Sequence, residues 1–230
     1  MTGRVKGGEP VAVAFFDVDE TLLTFKSMFR FLAHHFSAIG LPPERYLQAE
    51  ADLRNRAAAG VSRWETNRDY YRLYAGRPVE EVMRHGRAWF ADELAAGGAV
   101  HAPVAAALER HRAAGALIVL VSGSFPPCLE PVRQLLGADV LLCSDPEQVD
   151  GRYSGHLETP MIGEEKGHAA RKFLAERGIA PSAAAAYGDH ASDLGLLRAV
   201  GHPVAVGDDT DLCAYVTGVG GGRLPGAVPA

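Results

Sequence analysis

Two carboxylates follow directly on the first apolar run of the chain, and this arrangement constrains the fold more than any other feature. The run from Val11 to Phe16 has the length and composition of a buried strand, and Asp17 and Asp19 come at its end. Polar groups at the carboxyl ends of buried parallel strands are typical of open α/β sheets, which bind ligands at that edge. The run therefore predicts the first strand of such a sheet.

Asp17 and Asp19 lie two residues apart, so their side chains point the same way in an extended chain. Carboxylates that are this close repel each other, and a bound cation or a shared proton relieves the repulsion. The alternative is structural, because Asp19 or Thr21 can also cap a following helix. The pair alone does not decide between these interpretations.

A second apolar run ends in small polar residues. Leu117 to Val121 reads as another buried strand, and Ser122 and Gly123 follow it. The Ser122 hydroxyl and the backbone N–H groups of such a turn can bind an anion. Many strands end in Ser-Gly for structural reasons, so this signal is weak by itself.

Two further segments supply a cation and another pair of carboxylates. Lys166 precedes a predicted helix, where a lysine is usually a solvated surface charge, although only four of the 23 basic residues are lysines. The strand-like run from Ala183 to Tyr187 is followed by Asp189 and Asp193. One carboxylate at a strand end and one in the next helical turn indicate a hard cation with oxygen ligands.

In this order and spacing, the four segments resemble the haloacid dehalogenase superfamily of hydrolases. The match comprises DxDxT after a hydrophobic strand, a strand ending in Ser-Gly, a separate lysine, and GDxxxD after a later strand. The last motif and the Pro203 to Asp209 segment are most similar to subfamily IB, which contains phosphoserine phosphatase. The resemblance covers roughly Val11 to Val216.

The resemblance implies an α/β fold with a doubly wound parallel sheet and an inserted helical cap. We expect residues 1–25 and 101–230 to form the Rossmann-like core and residues 26–100 to form the cap. Between the first two strands the residue pattern itself predicts helices, separated by glycine and proline. The tail from Gly218, rich in glycine and proline, is expected to be loosely ordered. The predicted cap helices are Lys26 to Gly40, Pro43 to Ala59, Ser62 to Tyr74 and Pro78 to Ala96.

The resemblance also implies residue roles. Asp17 is expected to attack phosphorus and form an aspartyl-phosphate, and Asp19 to act as general acid and then as general base. Mg²⁺ is the implied cofactor, bound by Asp17, Asp189 and the Asp19 carbonyl, with Asp193 acting through water or hydrogen bonds. The groups expected to hold the phosphate oxygens are Ser122, the Gly123 amide and Lys166.

Three positions depart from the pattern of phosphoserine phosphatases. Lys26 stands where those enzymes have a glutamate that meets the substrate ammonium, so phosphoserine is disfavoured if Lys26 points inward. The alternative is that Lys26 begins the cap helix and faces solvent. In the last motif His190 and Ser192 replace the usual small residue and asparagine, and all three positions are candidate specificity residues.

Three functions remain open at this stage. We expect a phosphatase that hydrolyses a small phosphorylated metabolite. The same apparatus can transfer the phosphoryl group to a second alcohol, as in a phosphotransferase or mutase. From a different class, the chain can be a catalytically silent binding protein that retains the fold.

The charge, the cysteines and the apolar runs of the chain limit which partners and which cellular location we expect. A net charge of −5 indicates neither nucleic acid nor an anionic membrane surface as a partner. Cys128, Cys143 and Cys213 have no metal-binding spacing and read as reduced thiols, which favours the cytoplasm. Residues 1–10 lack the apolar core of a signal peptide, and no run of about 20 apolar residues predicts a membrane span. Nothing in the pattern indicates an oligomeric state.

Overall fold

A computed structural model describes residues 11–227, and six of its strands form one parallel sheet. The strand order is β3-β2-β1-β6-β7-β8, so successive strands extend the sheet first to one side of β1 and then to the other. This confirms the predicted doubly wound parallel sheet. The strands are Val13–Asp17 (β1), Leu117–Ser122 (β2), Val140–Cys143 (β3), Gln148–Val149 (β4), Arg152–Tyr153 (β5), Ala184–Gly188 (β6), His202–Val206 (β7) and Gly222–Leu224 (β8); β4 and β5 form a separate hairpin.

Helices cover both faces of the sheet and fill the long connection between β1 and β2. Five of them lie in that connection, and the first four fall within the segment predicted to be a helical cap. The predicted domain limits stay predictions. In chain order the α-helices of the described residues are Ser27–Ala38 (α1), Pro43–Ala58 (α2), Arg63–Arg72 (α3), Val79–Ala96 (α4), Ala102–Ala113 (α5), Pro126–Leu136 (α6), Glu164–Glu176 (α7), Leu194–Leu197 (α8) and Thr210–Gly218 (α9).

Strand β1 lies at the centre of the sheet and is buried on both sides. Val13 and Phe15 belong to the hydrophobic cluster formed with α7, α8 and α9, whereas Ala14 and Phe16 belong to the cluster on the opposite face. Because both faces are covered, the strand is apolar at every position up to Asp17. The neighbours β2 and β6 lead in opposite directions, so β1 ends at the switch point where such sheets bind ligands.

Aromatic side chains join the α1–α4 segment to the rest of the protein. Tyr74 lies 5.0 Å from Phe125, and Phe31 lies 5.7 Å from Trp89 and 5.8 Å from Phe125, measured between ring centroids. Each such pair stabilises the folded state by about 0.5–1.5 kcal/mol beyond the contribution of the surface area that it buries. The helical segment and one face of the sheet therefore share a single hydrophobic cluster.

Helices α4 and α6 approach each other more closely than side chains normally permit. A Cβ atom at Gly86 would lie 1.9 Å from the carbonyl oxygen of Pro127, so only glycine fits there. The hairpin adds further contacts, since the Gly76 amide donates to the Tyr153 carbonyl at 2.7 Å. This end of the helical segment is consequently fixed to the core.

The end of the described chain is more regular than its composition suggests. Asp209 caps α9 by accepting hydrogen bonds from the amides of Asp211 and Leu212, and β8 pairs in parallel with β7. The expectation of a loosely ordered tail from Gly218 is therefore wrong for residues 222–224. A three-residue strand that begins with glycine has no sequence pattern of its own, and the edge of β7 provides its hydrogen-bond partners.

The predictions made from composition concern the cysteines, membrane spans and the first ten residues. Cys128, Cys143 and Cys213 are free cysteines, and a cytoplasmic location stays a prediction. None of the helices within residues 11–227 has the length and hydrophobicity required to cross a membrane. Residues 1–10, for which no signal peptide is predicted, lie outside the described residues, as do residues 228–230.

A pair of histidines connects α1 to α4. His35 is fully buried, and its Nδ1 lies 2.9 Å from Nδ1 of His85. Burial, with repulsion from His85 and Arg77, lowers the pKa of His35 to about 4. The contact requires one proton between two nitrogens, so it forms only when at least one imidazole is neutral.

We predict that acid weakens the fold through His35. Because its pKa is lowered in the folded state, the stability that it contributes is complete above about pH 6.5 and is lost as pH falls toward 4. The loss is at most about 3 kcal/mol. Urea unfolding between pH 7.5 and 4.5 should show a shallower pH dependence in His35→Phe than in the wild type. Replacing the exposed His168 by glutamine is the control, and equal slopes in all three proteins would contradict the prediction.

Candidate active site

Three carboxylates from distant parts of the sequence meet beyond the end of β1. Oxygens of Asp17, Asp189 and Asp193 all lie within 4.8 Å of one another. Asp17 ends β1, Asp189 follows β6 immediately, and Asp193 closes the short helical turn that comes next. Adjacent parallel strands bring their carboxyl ends to one edge of the sheet, and this places the groups together.

Lys166 holds two of these carboxylates. From the first turn of α7, its Nζ donates to Oδ1 of Asp17 at 2.5 Å and to Oδ1 of Asp193 at 2.6 Å. All three side chains are more than nine-tenths buried. Burial by itself lowers the pKa of Lys166, but the attraction of the two carboxylates outweighs it and raises that pKa, so the ammonium stays charged.

Asp17 and Asp189 resist ionisation despite this cation. Burial raises the pKa of Asp17 well above its ordinary value; Lys166 opposes the shift, and repulsion from Asp193 and Asp189 adds to it. Burial and then repulsion from Asp193 raise the pKa of Asp189. When ionised, the three carboxylates carry more negative charge than one ammonium neutralises, and a further cation would stabilise that ionised form.

Asp19 occupies a different environment from Asp17. Its Oδ1 accepts a hydrogen bond from the amide of Ser27, the first residue of α1, at 3.0 Å. Burial raises the pKa of Asp19, and the hydrogen bonds from Ser27 partly oppose the shift. A carboxyl group of this kind holds a proton at higher pH than an ordinary aspartate and can deliver it.

Two small features of the motifs orient Asp189 and Asp193. Thr21 Oγ1 donates to Oδ1 of Asp189 at 2.8 Å, so the threonine of the first motif supports the last one. Asp193 Oδ2 accepts hydrogen bonds from the amides of Asp189 and His190. A Cβ at Gly188 would lie 2.6 Å from Cβ of Asp193, and the glycine is therefore required.

The loop after β2 is held tightly. Ser122 is buried, and its Oγ accepts a hydrogen bond from the Ser124 amide at 3.1 Å. A Cβ at Gly123 would lie 2.6 Å from Cγ2 of Ile162, so no larger residue fits without displacing that side chain. The loop presents a hydroxyl and backbone groups beside the carboxylates, as an anion site requires.

One cavity of about 540 Å³ contains every residue that the sequence analysis named as a candidate. Helices α1, α2 and α3 contribute its other wall, where Met28, Phe29 and Leu53 are apolar. The structure therefore brings the predicted residues together around a single space. The ten are Asp17, Asp19, Lys26, Ser122, Gly123, Lys166, Asp189, His190, Ser192 and Asp193.

Lys26 lies at the rim of this cavity. Its side chain is 56% exposed, and its Nζ lies 3.3 Å from a carboxylate oxygen of Glu20. The sequence left open whether Lys26 points inward or faces solvent. In the structure its side chain does both, because it lines the cavity and also reaches solvent. Glu20 offsets part of its charge.

Arg63 bridges the helical segment and the last motif. Its Nη1 lies 3.2 Å from Nδ1 of His190 and 3.3 Å from Oγ of Ser192. The contact joins the start of α3 to the loop after β6 across the mouth of the cavity. His190 and Ser192 thus meet the helical segment directly.

Arg63 and Tyr71 are two site residues that the sequence analysis missed. Tyr71 Oη donates to the Gly123 carbonyl at 2.7 Å. Sequence alone marks neither residue: Arg63 is one of 19 arginines, and Tyr71 belongs to an aromatic group at helical spacing that predicts only core. Their spacing of eight residues on one helix, which places both on the same face, is a usable signal once α3 is known to cover the site.

Comparison with known proteins identifies the family. The model of the haloacid dehalogenase-like hydrolases matches residues 14–198. The chain belongs to this family. The resemblance seen in its motifs is thereby confirmed, and so is the prediction of a hydrolase.

Relatives among characterised sequences cover most of the chain. A Streptomyces azureus protein described as an inhibition of morphological differentiation protein is 30% identical over 213 residues, which are 88% of this chain and 74% of the relative. A probable phosphatase of Mycobacterium tuberculosis is 29% identical over 86% of this chain and 70% of its own length. A phosphoserine phosphatase of the same organism is 28% identical over 87% of this chain and 66% of its own length.

Solved structures of family members share the fold. A Bordetella pertussis protein of unknown function has a TM-score of 0.81 and 26% identity, covering 92% of this chain and 97% of its own. A substrate-bound phosphoserine phosphatase has a TM-score of 0.65 and 17% identity, covering 90% of this chain and 91% of its own. At that identity the second likeness establishes the fold alone.

We predict that Lys166→Met destabilises the fold strongly at neutral pH. The change leaves Asp17 and Asp193 buried without their cation, which typically costs about 3–5 kcal/mol. Loss of the ammonium raises the folded-state pKa of Asp17 further, so stability should recover as pH falls and a proton replaces the cation. Thermal unfolding at pH 7.5 and 5.5 measures both effects. Lys172→Met, at an exposed position on the same helix, is the control, and a Lys166→Met protein as stable as this control at pH 7.5 would refute the prediction.

Proposed function

We propose that the protein is a Mg²⁺-dependent phosphatase that hydrolyses a small phosphorylated metabolite through an aspartyl-phosphate. The observation that carries the proposal is the buried Asp17 carboxylate, bonded to Lys166 and within 4.8 Å of two further carboxylates in one cavity. Relatives described as a probable phosphatase and as a phosphoserine phosphatase support the same reaction class.

The donor set of the cluster fits Mg²⁺. Carboxylate oxygens are hard ligands, and the pKa values of Asp17 and Asp189 are raised by burial first and by repulsion from neighbouring carboxylates second, a repulsion that a divalent cation would relieve. Asp193 already accepts hydrogen bonds on both oxygens. We therefore assign direct binding to Asp17 and Asp189, with Asp193 in a supporting role, and the family resemblance adds the backbone carbonyl of Asp19. When bound, the ion neutralises phosphate oxygens and lowers the barrier to anionic attack.

Asp17 and Asp19 divide the reaction between them. A carboxylate oxygen of Asp17 forms a bond to phosphorus while the bond from phosphorus to the alcohol oxygen breaks. Asp19, whose pKa is raised by burial, acts as the general acid and gives a proton to the departing alcohol. In the second step Asp19 takes a proton from water as the water oxygen attacks phosphorus, and this releases phosphate and restores Asp17.

Lys166, Ser122 and the Gly123 amide hold the oxygens of the phosphoryl group. Lys166 lies beside Asp17, so its charge meets both the nucleophile and the group that the nucleophile attacks. Positive charge and N–H donors in a water-poor cavity stabilise the transition state more than they would in water. The buried Ser122 hydroxyl lines the same cavity.

The wall of the cavity disfavours phosphoserine as substrate. A substrate ammonium would meet Lys26 at the rim, and Glu20 is already paired with that lysine. The apolar residues Met28, Phe29 and Ile162 suit an organic group with an uncharged part.

We predict that Asp17→Asn abolishes turnover without unfolding the protein, because the amide is not a nucleophile and has nearly the same shape. Asp19→Asn should slow both formation and breakdown of the intermediate by about 10²–10⁴-fold. Release of phosphate from p-nitrophenyl phosphate and from a panel of metabolites, with and without Mg²⁺, measures both effects. Asp92→Asn, an exposed position, is the control. Near-normal activity of purified Asp17→Asn would show that another group is the nucleophile, and phosphoryl transfer to added alcohols in place of water would indicate a phosphotransferase.

We predict that Lys26→Glu changes substrate preference and leaves the chemical steps intact. The substitution replaces a cation at the rim of the cavity with an anion. The kcat/KM for phosphate esters that carry an ammonium should therefore rise relative to that for neutral or anionic esters. The ratio of kcat/KM for phosphoserine to that for glycerol phosphate measures the change. If this ratio is the same in both proteins, Lys26 has no part in selecting the substrate.

A further inference from the structure

Helix α3 touches the Ser122–Ser124 loop through one buried hydroxyl. Tyr71 is fully buried, and its Oη donates to the carbonyl oxygen of Gly123 at 2.7 Å. Burial raises the pKa of Tyr71 well above its ordinary value, so the phenol keeps the proton that it donates. The contact links residues 52 positions apart, one in the helical segment and one at the end of β2.

Ser144 gives the same carbonyl a second donor. Its Oγ donates to Gly123 at 2.8 Å and accepts a hydrogen bond from the Met161 amide at 3.0 Å, so the hydroxyl proton is directed at the Gly123 oxygen. Two donors use both lone pairs of the carbonyl. The peptide group between Gly123 and Ser124 is thus held from the helical segment and from the end of β3.

Glycine makes these external contacts necessary. Without a side chain, Gly123 has wide backbone freedom, and its peptide planes can rotate unless other groups restrain them. The loop nevertheless has to present the Ser122 hydroxyl and the Gly123 amide in fixed directions, since preorganised donors are effective only when they do not reorient during the reaction. The hydrogen bonds to the Gly123 carbonyl fix the Gly123–Ser124 peptide plane, whose N–H donates to Ser122 Oγ at 3.1 Å, and they thereby orient the Ser122 hydroxyl.

We propose that Tyr71 is a positioning residue for the phosphoryl-binding loop. It holds the Gly123 carbonyl in one orientation, and it makes the geometry of the loop depend on the seating of α3 over the cavity. This inference rests on the proposed function, and it assigns to the helical segment a role in the chemical step besides covering the site. Tyr71 itself touches neither Asp17 nor the cavity.

Tyr71→Phe tests the proposal, because it removes the hydroxyl and keeps the ring. We expect kcat to fall about tenfold, less than the roughly 10²–10³-fold loss on removing a direct donor, with KM changed by no more than about twofold. Affinity for orthovanadate, which mimics the phosphoryl group in transfer, should fall by a similar factor in calorimetric titration. The Mg²⁺ concentration for half-maximal activity should not change, because the carboxylates are untouched.

Tyr74→Phe is the matched control. Tyr74 is also buried, and its hydroxyl is bonded to that of Tyr70 at 2.7 Å and not to Gly123. This variant should lose stability comparably but keep kcat and vanadate affinity. Ser144→Ala removes the other donor to Gly123 and should reproduce the kinetic effect of Tyr71→Phe, so it decides the matter if Tyr71→Phe does not fold.

The outcomes separate the positioning role from the proposed function. An active wild type, with Tyr71→Phe and Tyr74→Phe indistinguishable in kcat and vanadate affinity, would overturn the positioning role alone. A wild type without turnover of any phosphate ester would overturn the proposed function and this inference with it. A lowered kcat in Tyr71→Phe and Ser144→Ala, with a normal Tyr74→Phe, would establish the role.

Discussion

The site depends on one buried ammonium between two carboxylates. Lys166 is bonded to Asp17 and Asp193, and without its ammonium two carboxylates would be buried with no cation beside them. The contact joins the end of β1, the start of α7 and the turn after β6. These parts of the fold therefore have to be in place together before the charges are compensated, and the same arrangement leaves excess negative charge for a divalent ion.

Most of the candidate site could be predicted from sequence because its residues follow strands directly. Asp17, Ser122 and Asp189 each end or follow a buried apolar run, and parallel strands bring such ends to one edge whatever the connections between them. The same argument gave the doubly wound sheet. Local pattern and overall topology agree at these positions, so a short motif carries much information there.

The contacts from the helical segment could not be predicted in this way. Arg63 and Tyr71 act on loops that are far away in sequence, and the orientation of α3 above the sheet arises from tertiary packing of aromatic rings. Strand β8 was missed for a related reason, since its pairing depends on the exposed edge of β7. Lys26 combines both situations. Its place among the candidate residues could be predicted from sequence, but its ion pair with Glu20 at the rim of the cavity could not.

The close approach of Gly86 to Pro127 has a consequence for how this family member can diverge. Leu53 is the one buried residue of α2, and α2 also lines the cavity, so we expect changes that alter substrate acceptance to be tolerated in α2 without disturbing the contact between α4 and α6. Substitutions in α2 can change the shape of the cavity without weakening the contact between α4 and α6. A lineage adapting to a new ester would thus be expected to vary along α2 while retaining a glycine at position 86.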